Sequence, residues 1–188
     1  MRAEEEEQQM AIELKNVSFA YPNGYVANEN LNLTIEKGER IAIVGQNGAG
    51  KTTAVKLMNG LNRPSEGDVF VDGVNTKDKS CAWISRKVGY VFQNPDDQIF
   101  NSTALAEIQY MPKYFKLPEG EIKKRTDRAV ELTGIQKYLT MNPLDIPYAI
   151  RKFVAIAAII ATEPDYLILD EPTAGQDKRG NETLERII

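Results

Sequence analysis

Four apolar residues, Ile41-Ala42-Ile43-Val44, lead without a break into Gly45-Gln46-Asn47-Gly48-Ala49-Gly50-Lys51-Thr52, and a helical pattern begins where that segment ends. The β-branched run has the character of a strand buried on both faces. Lys51 to Asn59 reads as a helix, with Ala54, Val55, Leu57 and Met58 as its apolar content and Gly60 as its stop. Between the two, the spacing G-x-x-x-x-G-K-[ST] stands in the context it requires, directly after a strand and opening a helix. Glycines there let successive N–H groups turn inward, and the helix start adds partial positive charge. Such a loop cradles phosphate oxygens. Gly45, Asn47, Gly48, Ala49, Gly50, Lys51, Thr52 and Thr53 are therefore expected to hold ATP. Lys51 would contact the β- and γ-phosphates, and the Thr52 hydroxyl would ligate Mg²⁺.

A second element agrees with the first. Tyr166-Leu167-Ile168-Leu169 is a short apolar strand that delivers two carboxylates, Asp170 and Glu171, at its end. Ligands of open α/β sheets bind at the carboxyl ends of strands. Asp170 suits the Mg²⁺ shell, and Glu171 is placed to orient or deprotonate an attacking water. Lys51 and Glu171 are thus the first candidates for catalysis. Together the two elements specify an α/β fold of the P-loop NTPase type.

The remaining chain fits around them. Ile12 to Phe19 alternates apolar and polar residues with a slip near Asn16, and Leu31, Leu33 and Ile35 alternate likewise, giving two strands of an N-terminal β subdomain. Asp68 to Val71 and Lys87 to Gln93 read as further strands. From about residue 95 to 162 the character turns helical: Glu121 to Thr133 forms a charged helix ended by Gly134, and Ala149 to Ala161 a nearly all-apolar one stopped by Pro164. An α/β core carrying an inserted helical lobe is the expected architecture over residues 11–188. Residues 1–10 read as a polar leader, lacking the apolar region of a signal peptide.

Composition excludes several chemistries. The 188 residues contain no histidine, which removes the commonest general base and metal ligand. Cys81 is the single cysteine, expected to be a small buried hydrophobe. A net charge of −4 argues against a broad nucleic-acid surface. The longest apolar run, Phe153 to Ala161, is far short of the ~20 residues that span a bilayer.

The combination resembles the ABC ATPases, the nucleotide-binding subunits of ABC transporters. Asp170-Glu171-Pro172-Thr173-Ala174-Gly175 looks like that family's Walker B segment running into its D-loop, with Asp177 as the D-loop aspartate. Val91-Phe92-Gln93-Asn94-Pro95 looks like its Q-loop, which makes Gln93 a contact of magnesium and water. Tyr21 matches the aromatic that stacks on adenine. A narrower resemblance, carried by Gln93-Asn94-Pro95-Asp96-Asp97-Gln98-Ile99-Phe100, is to the energy-coupling factor and cobalt/nickel importer ATPases. It implies ATP and Mg²⁺ as cofactors and a second ABC ATPase subunit as partner, a heterodimer being favoured. It also implies a helical lobe docked on an integral membrane subunit at the cytoplasmic face, and no nucleic-acid partner. Gln93 joins Glu171 and Lys51 as a catalytic residue, and Thr52, Gln93 and Asp170 form the metal set.

Two departures qualify the resemblance. The family's signature, Leu-Ser-Gly-Gly-Gln, falls at Ile146-Pro147-Tyr148-Ala149-Ile150. Pro147 offers neither hydroxyl nor N–H, Tyr148 puts bulk where glycine is expected, and Ile150 lacks the amide. The family's switch histidine, on a strand after the D-loop, also has no counterpart before Ile188; if these 188 residues are the whole polypeptide, the sheet is expected to lack that central strand, and a truncated chain is the alternative. Two functions stay open at this point. One is an ATP-hydrolysing importer subunit whose site is completed by a partner's signature. The other is an impaired nucleotide-binding domain with a regulatory or structural role.

Overall fold

A computed structural model describes residues 11–188; the leader at 1–10 lies outside the described residues. The chain divides between Val88 and Gly89 into two compact units.

In the first unit a four-stranded antiparallel sheet has the order β2-β1-β3-β4, formed by β1 (Ala11–Ala20), β2 (Val26–Glu36), β3 (Glu66–Val71) and β4 (Val74–Asn75). Ile12, Leu14 and Val17 of β1 and Val69 and Val71 of β3 are buried. The slip legible at Asn16 is a bulge. The register of β1 against β2 shifts between Leu14 and Val17, and Asn16 takes a φ of +51°. Gly67 answers it across the ladder, where a Cβ would come within 2.2 Å of the Asn16 carbonyl oxygen. Helix α1 (Lys51–Met58) lies against β1 and β3 with Leu57 and Met58 buried. It ends at Gly60, whose φ of +74° is the left-handed stop the sequence announced. Helix α2 (Cys81–Lys87) is capped by Ser80.

Two expectations fail here. Residues 41–44 form no strand, and Ile41, Ile43 and Val44 are 45%, 40% and 87% exposed. The run has the composition of a central strand, but a strand exists only as a pairing. No strand among the described residues lies alongside to take its N–H and C=O groups. Cys81, expected inside, is exposed. It is the first residue of a short helix whose buried anchor is Ile84.

The second unit is mainly helical. Strands β5 (Val88–Val91) and β6 (Tyr166–Leu169) pair with each other. Around them stand α3 (Ala104–Tyr114), α4 (Glu119–Thr133), α5 (Tyr148–Ile160) and α6 (Lys178–Ile187). Helix α5 is the hub, packed on α3 and α4, with Phe153 to Ala158 all buried. Its core continues through Val91, Ile108, Val130, Ile135 and Leu184. Thr103 caps α3 by accepting from the Ala106 N–H, and Gly134 closes α4 at a φ of +71°. Strand β6 is not buried throughout as its composition suggests: Tyr166 is inside while Leu167 is exposed.

Candidate nucleotide site

The first unit carries the glycine-rich loop. Gly48 and Gly50 both sit at φ +82°, a region open to glycine and costly to other residues. Gly50 is confined as well, since a Cβ there would lie 2.3 Å from the Ala27 carbonyl oxygen. It is the N-cap of α1, and no side chain caps that helix, nor is there an acidic residue in its first turn. A helix start without a side-chain cap or an acidic first turn suits an anion. Lys51 folds back over the loop, its Nζ donating to the carbonyls of Gly45 at 2.8 Å and Gln46 at 2.9 Å. The Ala49 N–H is turned onto the Gln46 carbonyl. This donor set fits a polyphosphate, which would take over the ammonium from the two carbonyls.

The 21–25 turn brings two aromatics to the same loop. Tyr21 Oη lies 2.9 Å from Thr53 Oγ1, so the expected base-stacking tyrosine is tied to α1. Tyr25 Oη donates to the Gly48 carbonyl at 3.2 Å, and the two rings face one another at 6.4 Å with 23° between planes. Asn28 Nδ2 donates to the Gly50 carbonyl. Sequence reasoning missed Tyr25, although its place just after the Pro-Asn-Gly turn was visible.

The second unit carries the acidic pair. Asp170 follows β6 directly, and its N–H donates to the Val91 carbonyl. Its side chain is buried, and Oδ2 accepts from the Tyr90 hydroxyl at 2.8 Å. Burial, then that bond and the carboxylate's charge, push the Tyr90 pKa well above its ordinary value. Glu171 sits at φ +47°, and its Oε2 accepts from Gln93 Nε2 at 2.6 Å. The structure thus joins two of the three expected catalytic residues, Gln93 and Glu171, by a direct hydrogen bond. Asp177, the expected D-loop aspartate, caps α6 through the Gly180 N–H.

Two residues here escaped the sequence reading. Tyr90 gave no signal inside an apolar strand. Lys152 gave one that went unread: a lysine beside the all-apolar stretch of α5. It is 3% exposed and donates to the carbonyls of Glu171 and Ala174.

The degenerate segment 146–150 is ordered by other means. Pro147 is the N-cap of α5, and Ile146 is buried. The half-exposed Tyr148 ring stands against Gly175, and the Ala149 carbonyl accepts from Gln176 Nε2.

The chain is similar to known proteins along most of its length. The ABC transporter family profile matches residues 28–174. A Pyrococcus furiosus protein named for ATP binding in an ABC transporter is 46% identical over 177 residues, covering 94% of this chain and 68% of that protein. The energy-coupling factor transporter ATP-binding protein EcfA of Methanothermobacter thermautotrophicus is 39% identical over 179 residues, covering 94% of this chain and 58% of that one. Among solved structures, cbiO1 from Clostridium perfringens, described as part of the ABC transporter complex cbiONQ, superposes with a TM-score of 0.82. It is 34% identical, covering 95% of this chain and 72% of that one. This chain belongs to the ABC transporter family, as an ATP-binding subunit with the ATPase fold and activity of that family.

Proposed function

We propose that the chain hydrolyses ATP to drive an energy-coupling-factor type importer of a vitamin or a transition-metal ion. The relatives named for that transporter class support the reading. The observation that carries it is the 2.6 Å bond between Gln93 and Glu171, which ties the carboxylate proposed to activate water to the side chain proposed to contact it. Lys51 and the amides of 45–53 would bind the triphosphate, and Tyr21 would stack on the adenine. Asp170, Gln93 and Thr52 would supply oxygens to Mg²⁺, which neutralises charge on the transferred phosphoryl group.

The segment at 146–150 favours an asymmetric heterodimer. Each lost hydrogen bond to a charged group costs about 1.5–3 kcal/mol. Pro147, Tyr148 and Ile150 forfeit several. A partner ATPase with an intact signature would complete the site built on this chain's own Lys51 and Glu171. The docking surface for a membrane subunit would lie on the second unit, where Phe100, Tyr110 and Tyr114 are exposed. The relatives named as energy-coupling factor transporter ATP-binding proteins support a peripheral place at the cytoplasmic face of the membrane, and no described helix is long and apolar enough to cross one.

To test this, ATP turnover is measured for the chain alone and with an energy-coupling factor partner ATPase, each with and without Glu171→Gln. Partner-dependent turnover that the substitution lowers sharply, to a residual rate still measurable in single-turnover assays, is the expected result. Equal rates for wild type and variant would remove Glu171 from the role. Magnesium-dependent ATP binding with no turnover in any combination would favour the second reading, an impaired regulatory domain.

A further inference from the structure

Lysine is rarely buried, because its ammonium keeps to water while the stem covers apolar surface. Lys152 breaks that habit, lying 3% exposed in α5 immediately before the apolar run from Phe153. Its Nζ donates to two backbone carbonyls, of Glu171 and of Ala174, each at 2.9 Å. Desolvation lowers its pKa, and the charges of Glu171 and Asp170 oppose that shift. A methionine would fill similar volume at no desolvation cost. The buried charge calls for another account than packing.

The carbonyls it holds belong to one turn. The Ala174 N–H donates to the Glu171 carbonyl, so that oxygen receives both an amide and the ammonium. Glu171 itself adopts φ +47°, a left-handed conformation that a residue with a Cβ keeps only when its surroundings enforce it. The backbone conformation at 171 fixes where its Cβ points, and hence where its carboxylate meets Gln93.

We infer that Lys152 is a positioning residue for the reaction: by gripping the Glu171 and Ala174 carbonyls it sets the left-handed backbone at Glu171 and the direction of its carboxylate. The inference rests on the proposed role of Glu171 as the water-activating group. Lys152 touches no reacting atom and works only through that residue.

The test combines turnover with a readout independent of it. Lys152→Met, Lys152→Gln and Lys152→Arg are made in the full chain, with turnover measured in whichever assembly gives wild-type hydrolysis. Displacing a catalytic group by about 1 Å can cost on the order of a hundredfold. Lys152→Met is therefore expected to lower kcat at least about tenfold while the Kd for Mg·ATP stays within about twofold of wild type. Lys152→Arg, which keeps charge and donors, should recover most of the rate. In the Glu171→Gln background the methionine substitution should cause little further loss, because the group it positions is already disabled. Backbone amide exchange at Thr173 to Gln176 should accelerate in Lys152→Met with α5 still protected.

A folded Lys152→Met with kcat within twofold of wild type overturns the inference, as does a full additional loss in the Glu171→Gln background. If Glu171→Gln alone leaves turnover intact, the role of Glu171 falls first and Lys152's role falls with it, a distinguishable failure. Should Lys152→Met not fold, Lys152→Gln, which lacks the charge, carries the same comparisons.

Discussion

The hydroxyl of Tyr90 donates to Asp170 Oδ2 at 2.8 Å, joining two paired strands at the position where a carboxylate is expected to meet magnesium. A hydrogen bond to a charged group contributes about 1.5–3 kcal/mol. Tyr90→Phe is expected to lower unfolding stability by roughly that amount in urea. It should also raise the Mg²⁺ concentration for half-maximal turnover severalfold, because the carboxylate loses the donor that orients it. Unchanged values of both would show that the bond is incidental.

The same phenol predicts an alkaline transition. Burial and Asp170 raise the Tyr90 pKa above its ordinary value of 10.0 in the folded protein. The folded state then holds this proton more tightly than the unfolded one. Its contribution is present below pH 10 and is lost as pH rises beyond it. In metal-free protein, titration at 295 nm should show a phenol ionising later than the exposed tyrosines, and Tyr90→Phe should delete that component.

Glycine-to-alanine substitutions in the phosphate loop should separate conformation from crowding. Gly48 and Gly50 share φ +82°, but a Cβ at Gly48 meets nothing within 4 Å while one at Gly50 strikes the Ala27 carbonyl. Gly48→Ala should bear only the left-handed penalty of about 1–2 kcal/mol. Gly50→Ala must also shift α1 against β2. The stabilisation of the protein by Mg·ATP in thermal melts should shrink for Gly48→Ala and vanish for Gly50→Ala.

The core of the second unit gives a stability contrast. Phe153 is 3% exposed at the centre of α5, and its replacement by alanine should destabilise by about 3–5 kcal/mol. Cys81→Ser, at an exposed helix start, should change stability by less than about 0.5 kcal/mol. Chemical denaturation of both variants checks the pair, and equal losses would contradict the packing described.

What the sequence disclosed follows the range of the forces involved. Glycine stops at Gly60 and Gly134, the Asn16 slip and the apolar face of α5 were legible because each is a local matter of dihedral freedom or periodicity. Helix α3 was hidden by Pro112, which breaks the usual pattern inside it while Thr103 secures its start. Residues 41–44 were misread, because composition reports what a strand would bury and says nothing of whether a neighbour is there to pair with it. Lys152 was overlooked for the opposite reason. Its partners are backbone carbonyls, which leave no mark in a string of side chains, whereas the chemistry of Lys51, Asp170 and Glu171 is written in their own functional groups.

The unladdered run at 41–44 has a thermodynamic consequence for whatever binds at Gly45 to Thr53. The described ties of this cradle run to α1 and to the Tyr25 and Asn28 side chains, with no strand ladder among the described residues on the 41–44 side. Whatever freedom the missing ladder leaves to the empty loop, a ligand must remove on binding, which raises the measured dissociation constant. Any strand that came to lie beside Ile43 would tighten nucleotide capture without touching the nucleotide.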